Sequence, residues 1–277
     1  MMALQTCFAL LLGLALGSFL NVCISRLPRH ESVVRPRSRC PRCSAPISAL
    51  DNIPLVSFAI LRGRCRHCHQ PISWRYPVVE LAVAALSIAC LYTDGPGLDG
   101  VGATLLCALL VAMAACDLET LRLPDSLTLS TLALGIFYRA GDGYLQELPR
   151  GSVYALHTAG ALAVRGAISA AAAALVLLAL RWFYWLLRHH QGMGLGDVKL
   201  AAAIAAWLGA RQMLLVLFLA AVTGALTGVA TVALRRGHQA VPMRQHAVPF
   251  GTFLCIAGIY CVFFGRVTLL WYLHFFP

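Results

Sequence analysis

Charged side chains are scarce in this chain. They make up 12% of its 277 residues, whereas a soluble globular domain carries about 25%. Hydrophobic residues make up 60%, and apolar runs recur from one end of the chain to the other. The composition therefore excludes an ordinary soluble protein and predicts a polytopic membrane protein embedded in the lipid bilayer.

Acidic side chains are rarer than basic ones, which gives a net charge of +11. A basic protein can bind nucleic acid, but here ten arginines lie between Arg26 and Arg75, and the others are scattered at the ends of apolar runs. That distribution is typical of membrane proteins, in which the cytoplasmic loops carry the basic residues. We therefore expect contact with lipid and no nucleic-acid partner.

Basic residues are absent before the first apolar run, Met1 to Cys23, whereas Arg26 and Arg29 follow it. A secretory signal peptide has its basic residues in front of the apolar core. The sequence therefore predicts a retained first transmembrane helix whose N-terminus lies outside the cytoplasm.

Seven further apolar segments follow the first. They cover residues 77–93, 101–116, 125–139, 159–187, 195–209, 211–234 and 249–274. A membrane-spanning helix needs about 20 residues, so 125–139 and 195–209 are short. The predicted fold is an all-α polytopic membrane protein with about eight transmembrane helices and a small cytoplasmic zinc-type cysteine loop after the first helix.

The loops between these segments alternate in charge, which supports the predicted topology. Besides the first ten arginines, the inner loops 25–76, 117–124, 188–196 and 235–248 hold Arg122, Arg188, Arg235, Arg236 and Arg244. The outer loop 94–100 has two aspartates and no basic residue, and the outer loop 140–158 has only Arg150. We expect three domains: a first transmembrane helix (1–24), a cytoplasmic four-cysteine loop (25–76) and a transmembrane domain (77–277).

Seven of the eleven cysteines lie within or beside apolar segments and are interpreted as small buried hydrophobes. The other four, Cys40, Cys43, Cys65 and Cys68, form two C-x-x-C pairs with a spacing close to that of zinc sites. Because the loop is predicted to be cytoplasmic, a structural zinc ion is favoured over disulfides or free thiols. His67 and His69 could replace a cysteine, but four thiolates already close a tetrahedral site.

Two aspartates stand at the cytoplasmic ends of apolar segments. Asp197 follows Gly192, Gly194 and Gly196 and enters a membrane-type helix, and Asp117 ends another apolar run. Ionisable groups at such positions are costly and indicate function. The alternatives are that Asp197 is an ordinary N-cap and that Asp117 is a loop aspartate in water. Asp125, eight residues after Asp117, is interpreted as the cap of the next helix.

Two carboxylates that face each other share one proton, as in aspartic proteases. The ionised carboxylate takes a proton from water while the protonated one polarises the scissile carbonyl. Asp197 is placed at a helix N-terminus, which favours its anion, and Asp117 at a helix C-terminus, which favours the neutral acid. This division of roles is a hypothesis, because a coupled pair titrates as a unit.

These motifs resemble the prepilin leader peptidases, also called type IV prepilin peptidases. The resemblance covers nearly the whole chain. It rests on Gly17-Ser-Phe-Leu-Asn-Val22, Arg26-Leu-Pro28, both C-x-x-C pairs, Asn52-Ile-Pro54, Leu61-Arg-Gly-Arg-Cys65, Ile72-Ser-Trp-Arg-Tyr-Pro-Val-Val-Glu80, Leu123-Pro-Asp125 and Gly194-Leu-Gly-Asp-Val-Lys199.

The resemblance implies that Asp117 and Asp197 are the catalytic pair. It implies cleavage of the short basic leader of prepilins and type II secretion pseudopilins, after a glycine, at the cytoplasmic face of the bacterial inner membrane. It also implies N-methylation of the new first residue from S-adenosylmethionine, in which Gly63 takes part. A glycine between two arginines can turn or admit a cofactor, and a plain turn glycine is the alternative.

Other functions remain open at this point. A presenilin-type intramembrane aspartic protease shares G-x-G-D but needs no cysteine loop. A transporter could use the aspartates as a cation site, although the sequence has no inverted repeat of the kind that transporters use. Glu80 is either an interfacial glutamate or a contact to the substrate or to the catalytic end of another span.

Overall fold

The structure, a computed structural model, describes residues 2–190, 192–234 and 249–275. These residues form nine α-helices and no strand, which confirms the all-α prediction. The helices are α1 (Met2–Arg26), α2 (Val56–Ile60), α3 (Arg75–Asp94), α4 (Leu98–Thr120), α5 (Asp125–Glu147), α6 (Ser152–Arg188), α7 (Leu195–Leu208), α8 (Ala210–Leu234) and α9 (Phe250–Phe275). The predicted inner loop 235–248 and Gln191 lie outside the described residues.

Within the described part of the chain, six helices are long and apolar enough to cross a membrane: α1, α3, α4, α6, α8 and α9. The chain is therefore a multi-pass membrane protein, and the predicted number of eight spans is only approximate. Besides the five-residue α2, the helices outside this set are α5 and α7, the two segments that the sequence marked as short. α5 carries Arg139, Asp142 and Glu147 in its second half. α7 has 14 residues and is about 21 Å long, less than the roughly 30 Å of a bilayer core.

The predicted outer loop 140–158 is largely helical instead. α5 continues to Glu147, a short 3-10 turn covers Leu148–Arg150, and α6 begins at Ser152. This stretch is polar, so hydropathy alone ended the predicted helix too early. Its helix-breaking residues, Pro149 and Gly151, lie in the turn itself, which is where the structure separates the two helices.

The chain divides into two compact units, residues 1–112 and 113–277, and the boundary falls inside α4. In the first unit, α1 packs against α3 through glycines. A Cβ atom on Gly13 would lie 2.6 Å from the Cα of Ala84, and one on Gly17 would lie 2.7 Å from the Cα of Glu80. Only glycine permits so close a helix crossing, as in small-xxx-small membrane motifs.

In the second unit, α7 is the buried centre and contacts α5, α6, α8 and α9. Every residue from Val198 to Trp207 except Lys199 is buried, and a helix that is apolar on all sides needs such surroundings. At its far end, the indole of Trp207 donates a hydrogen bond to the carbonyl of Thr131 at 2.7 Å. The guanidinium of Arg139 donates to the carbonyl of Trp207 at 3.1 Å, which places a cation at the helix C-terminus.

Candidate functional site

Asp117 lies in the last turn of α4, and only 5% of its surface is exposed. Its Oδ2 atom accepts two hydrogen bonds from Thr252, one from the backbone N–H at 2.7 Å and one from the hydroxyl at 3.1 Å. Thr252 is the third residue of α9, so the N-terminus of that helix faces the carboxylate. The interpretation of Asp117 as a loop aspartate in water is therefore wrong.

Asp197 is the third residue of α7 and is half-buried. Gly194 occupies the N-cap position, and its backbone amide hydrogen-bonds the Asp197 carboxylate. An acid three residues into a helix that reaches back to the N-cap amide is the second half of a capping box. Asp197 is thus not the N-cap that the sequence left as an alternative, but it does stabilise the start of α7.

The second unit brings the two carboxylates together. The charge of Asp117 acts on Asp197, and both charges act on the fully buried thiol of Cys255, one turn after Thr252. The side chain of Leu123 lies between the two helix starts, 3.1 Å from a Cβ placed on either Gly196 or Gly251. These glycines let α7 and α9 begin beside the same leucine.

The sequence predicted the last apolar segment at 249–274 but not that its first residues belong to the aspartate site. Gly251 is buried, and a Cβ at its position would lie 2.9 Å from Oδ2 of Asp117. Thr252 is buried as well, with 6% of its surface exposed. Their neighbour in space, Asp117, is 135 residues away from Thr252 in sequence. The only local sign is Pro249, which marks the beginning of the last apolar segment.

Asp125 does not cap α5. The N-cap position belongs to Pro124, and no side-chain hydrogen bond caps the helix. Asp125 is instead the first helical residue, where the helix dipole favours an anion, and its Oδ1 atom accepts from Nζ of Lys199 at 2.6 Å. The cap interpretation is wrong because extended Pro124 already sets the helix start and leaves the aspartate free to pair with α7.

The four loop cysteines of the first unit form one cluster, with all sulfur atoms within 4.8 Å of one another. Each C-x-x-C pair sits in the same kind of knuckle. The amide of Cys40 donates to the carbonyl of Ala45, and that of Cys65 donates to the carbonyl of Gln70, both at 2.9 Å. Isolated bridges between Arg39 and Pro46 and between Arg64 and Pro71 close the two knuckles.

The cluster fits a zinc ion. Four thiolates at about 2.3 Å from a tetrahedral zinc ion are about 3.8 Å apart, and the sulfur atoms of Cys40 and Cys68 are 3.9 Å apart. All four are free cysteines, so no disulfide joins them. Backbone amides of Cys68 and His67 lower the pKa of Cys65 to about 6, which makes one ligand a thiolate near neutral pH. Such a site can bind zinc through Cys40, Cys43, Cys65 and Cys68, and the metal would fix the loop.

Gly63 lies beside the second knuckle at a positive φ of +67°. Its amide donates to the carbonyl of Phe58, and its carbonyl accepts from the amide of Ile72 at 2.7 Å. A Cβ would lie 3.0 Å from Cζ of Phe58, whose ring packs against Trp74 at 5.1 Å between centroids. The backbone therefore favours glycine here for conformational reasons, whatever else the residue does.

Glu80 ties the loop to the membrane helices of the first unit. Its side chain is buried at the start of α3, and Oε2 accepts the backbone N–H of Leu55 at 2.9 Å. Nearby, the amide of Asn21 donates to the carbonyl of Tyr76 at 3.0 Å. Within the first unit, Glu80 therefore fixes the loop to α3, a role that neither sequence interpretation included.

The chain matches two family models. Residues 11–93 match the family described as "Bacterial Peptidase A24 N-terminal domain", and residues 104–229 match "Type IV leader peptidase family". The first match contains the cysteine loop, and the second contains both Asp117 and Asp197. No solved structure matches the chain.

Curated relatives are similar over most of their length. A prepilin leader peptidase/N-methyltransferase of Aeromonas hydrophila is 40% identical over 95% of this chain and 92% of its own. Proteins of the same name are 39% identical in Aeromonas salmonicida (95% and 92%) and 38% identical in Burkholderia pseudomallei (95% and 86%). The resemblance predicted from the motifs is confirmed, and the chain belongs to the type IV leader peptidase family.

Proposed function

We propose that this chain is a membrane aspartic endopeptidase that removes the short basic leader of type IV prepilins and type II secretion pseudopilins, and then N-methylates the new first residue. The observation that carries the proposal is the convergence of Asp117 and Asp197 within the segment that matches the leader peptidase family. The names of the relatives support both activities.

Peptide cleavage is assigned to the aspartate pair. One carboxylate, ionised, takes a proton from water as the water attacks the carbonyl carbon of the scissile bond. The other, protonated, donates a hydrogen bond and then its proton to the carbonyl oxygen. A buried and a half-buried carboxylate suit this reaction because their repulsion keeps a single proton on the pair.

Methyl transfer is assigned to the cysteine loop. The free amine of the new N-terminal residue would take the methyl group and lose a proton, and S-adenosylmethionine would supply that methyl group and leave as the neutral thioether. We propose Gly63 as a residue at the methyl-donor site, since its backbone lies beside Phe58, whose ring packs against the exposed Trp74. The zinc ion on the four cysteines has a structural role, because a closed tetrahedral site has no open position for substrate.

The proposed location is the bacterial inner membrane, with the catalytic aspartates at the cytoplasmic edge and both termini outside. The proposed domains remain 1–24, 25–76 and 77–277, a division by role. A single cysteine introduced near Asp142 should react with an impermeant reagent from outside, and one near Glu119 only after the membrane is opened. Reversal of the two would put the aspartates on the wrong face for a leader that never crosses the membrane.

The decisive experiment is incubation of the purified protein with a prepilin-like peptide and S-adenosylmethionine, followed by mass spectrometry. Cleavage after the leader glycine and one added methyl group on the mature peptide are expected. Absence of cleavage, with flux through proteoliposomes, would favour a transporter. Cleavage of unrelated transmembrane peptides without methylation would favour a presenilin-type protease.

A further inference from the structure

We infer that Thr252 is a positioning residue that holds Asp117 as the ionised member of the pair, which makes Asp117 the group that takes the proton from water. The inference rests on the proposed function and deepens it. It opposes the division of roles that the sequence suggested, in which Asp197 carried the charge.

The first observation is the set of donors at Asp117. Its Oδ2 atom accepts both the N–H and the hydroxyl of Thr252, at 2.7 and 3.1 Å. An ionised carboxylate is purely an acceptor, so two donors on one oxygen favour the anion over the acid. Thr252 is buried, so water does not compete freely for these donors.

The second observation concerns helix ends. From the sequence, Asp117 was assigned only to the C-terminus of its own helix, where the dipole opposes a negative charge. In the folded chain it also lies at the N-terminus of α9, the first turn of which contains Thr252. The first-turn amides of a helix are a favourable place for an anion, so the start of α9 offsets the unfavourable end of α4.

Asp197 has the weaker set of hydrogen-bond donors. Its carboxylate receives the Gly194 amide at the start of its own helix, whereas that of Asp117 receives two donors from Thr252. The fully buried thiol of Cys255 on α9 also lies within electrostatic reach of both aspartates. With one proton to share, the pair places it on Asp197, and Asp197 polarises the carbonyl.

Gly251 supports the same geometry by its lack of a side chain. A methyl group there would lie 2.9 Å from Oδ2 of Asp117 and 3.1 Å from Cδ1 of Leu123. The carboxylate would have to move away from Thr252, although the helix itself tolerates alanine. Gly251→Ala therefore tests the contact without removing either donor.

The experiment measures kcat, KM and the pH dependence of prepilin-peptide cleavage. Thr252→Val keeps the shape and the backbone N–H but removes the hydroxyl donor, so we expect kcat to fall about tenfold with KM unchanged. The acid side of the pH–rate profile should move to higher pH by about one unit, because the anion of Asp117 forms less readily. Thr252→Ser keeps both donors and should behave like the parent protein.

The matched control is Thr131→Val. Thr131 is also buried in the second unit and bonds the carbonyl of Leu127 at 2.7 Å, so it reports the general cost of losing a buried hydroxyl. Gly251→Ala should lower kcat in the same direction as Thr252→Val, which keeps the test valid if the valine variant fails to insert.

Three results would overturn the inference: an unchanged profile in Thr252→Val, equal impairment of Thr252→Ser, or full activity of Gly251→Ala. Failure of the parent protein to cleave any prepilin peptide would instead refute the proposed function. The two failures are therefore distinguishable, because the first requires an active parent protein.

Discussion

The cysteine loop and the aspartate site hold their functional groups in different ways. In the loop, each ligand pair is fixed by hydrogen bonds within about six residues, and the two knuckles meet across an otherwise irregular segment. In the aspartate site, three helices that are distant in sequence contribute one residue each: Asp117 from α4, Asp197 from α7 and Thr252 from α9. The cysteine site can therefore be lost by unfolding one short segment, whereas the aspartate site depends on the packing of its whole unit.

This difference predicts that a substitution in one site leaves the other site intact. Substitution of either aspartate should have the largest effect on activity. Asp117→Asn and Asp197→Asn should each reduce cleavage by about 10²–10⁴-fold, because one carboxyl cannot both activate water and protonate the carbonyl oxygen. Mass spectrometry of a prepilin peptide measures the loss. Zinc content should stay at the parent value, and a peptide supplied already cut should still be methylated. Parallel loss of zinc would show that the two sites are coupled through the fold.

The sequence identified all of the cysteine site but only part of the aspartate site, because the cysteines are close in sequence and the residues of the aspartate site are not. All four metal ligands lie within a 29-residue stretch and share the pattern Arg-Cys-x-x-Cys-x-x-Pro, so spacing alone identified them. The aspartates were found because glycines and apolar runs made their positions unusual. Thr252 could not be found that way, because its role depends on a contact 135 residues distant.

Helix ends were the weakest part of the sequence prediction. Asp125 looked like a cap because it precedes a helix, but Pro124 determines the start and Lys199 supplies the partner. α5 was ended at residue 139 because its second half is polar, although those residues remain helical to Glu147. Hydropathy reports which side chains avoid water, and it does not report where the backbone hydrogen bonds stop.

The next effect in size is loss of the metal. Replacing any one of Cys40, Cys43, Cys65 and Cys68 with serine should abolish stoichiometric zinc binding and make the loop sensitive to protease, because binding and local folding are coupled. Metal analysis of protein purified under reducing conditions measures the zinc content, and we expect one zinc ion per parent chain. Cys7→Ser is the control, since Cys7 is an exposed residue of α1 outside the cluster. A parent protein without zinc would contradict the prediction.

A smaller effect is expected at Gly63. Alanine at φ +67° costs roughly 1–2 kcal/mol, and its methyl group would press on Phe58. We expect Gly63→Ala to reduce methylation while cleavage stays near the parent rate, as measured by the mass of the mature peptide. Gly97→Ala, which meets no atom within 4 Å, is the control. If Gly63→Ala lost zinc, methylation and cleavage together, the glycine would serve the loop fold alone.

The smallest effect is expected at the ion pair beside the aspartate site. Lys199 and Asp125 join α7 to the start of α5 at 2.6 Å, but the pair is open to solvent, with 63% of the Asp125 side chain and 38% of the Lys199 side chain exposed. An exposed pair contributes about 0–1 kcal/mol, so Asp125→Asn should slow cleavage by less than about fivefold.

Exchanging the charges, Asp125→Lys with Lys199→Asp, should recover part of that loss if the pair orients the first turn of α7. Glu147→Gln, which breaks the ion pair with the exposed Arg150 at the other end of α5, should leave the rate unchanged. An inactive Asp125→Asn beside an active Asp117→Asn would mean that Asp125, and not Asp117, is the partner of Asp197.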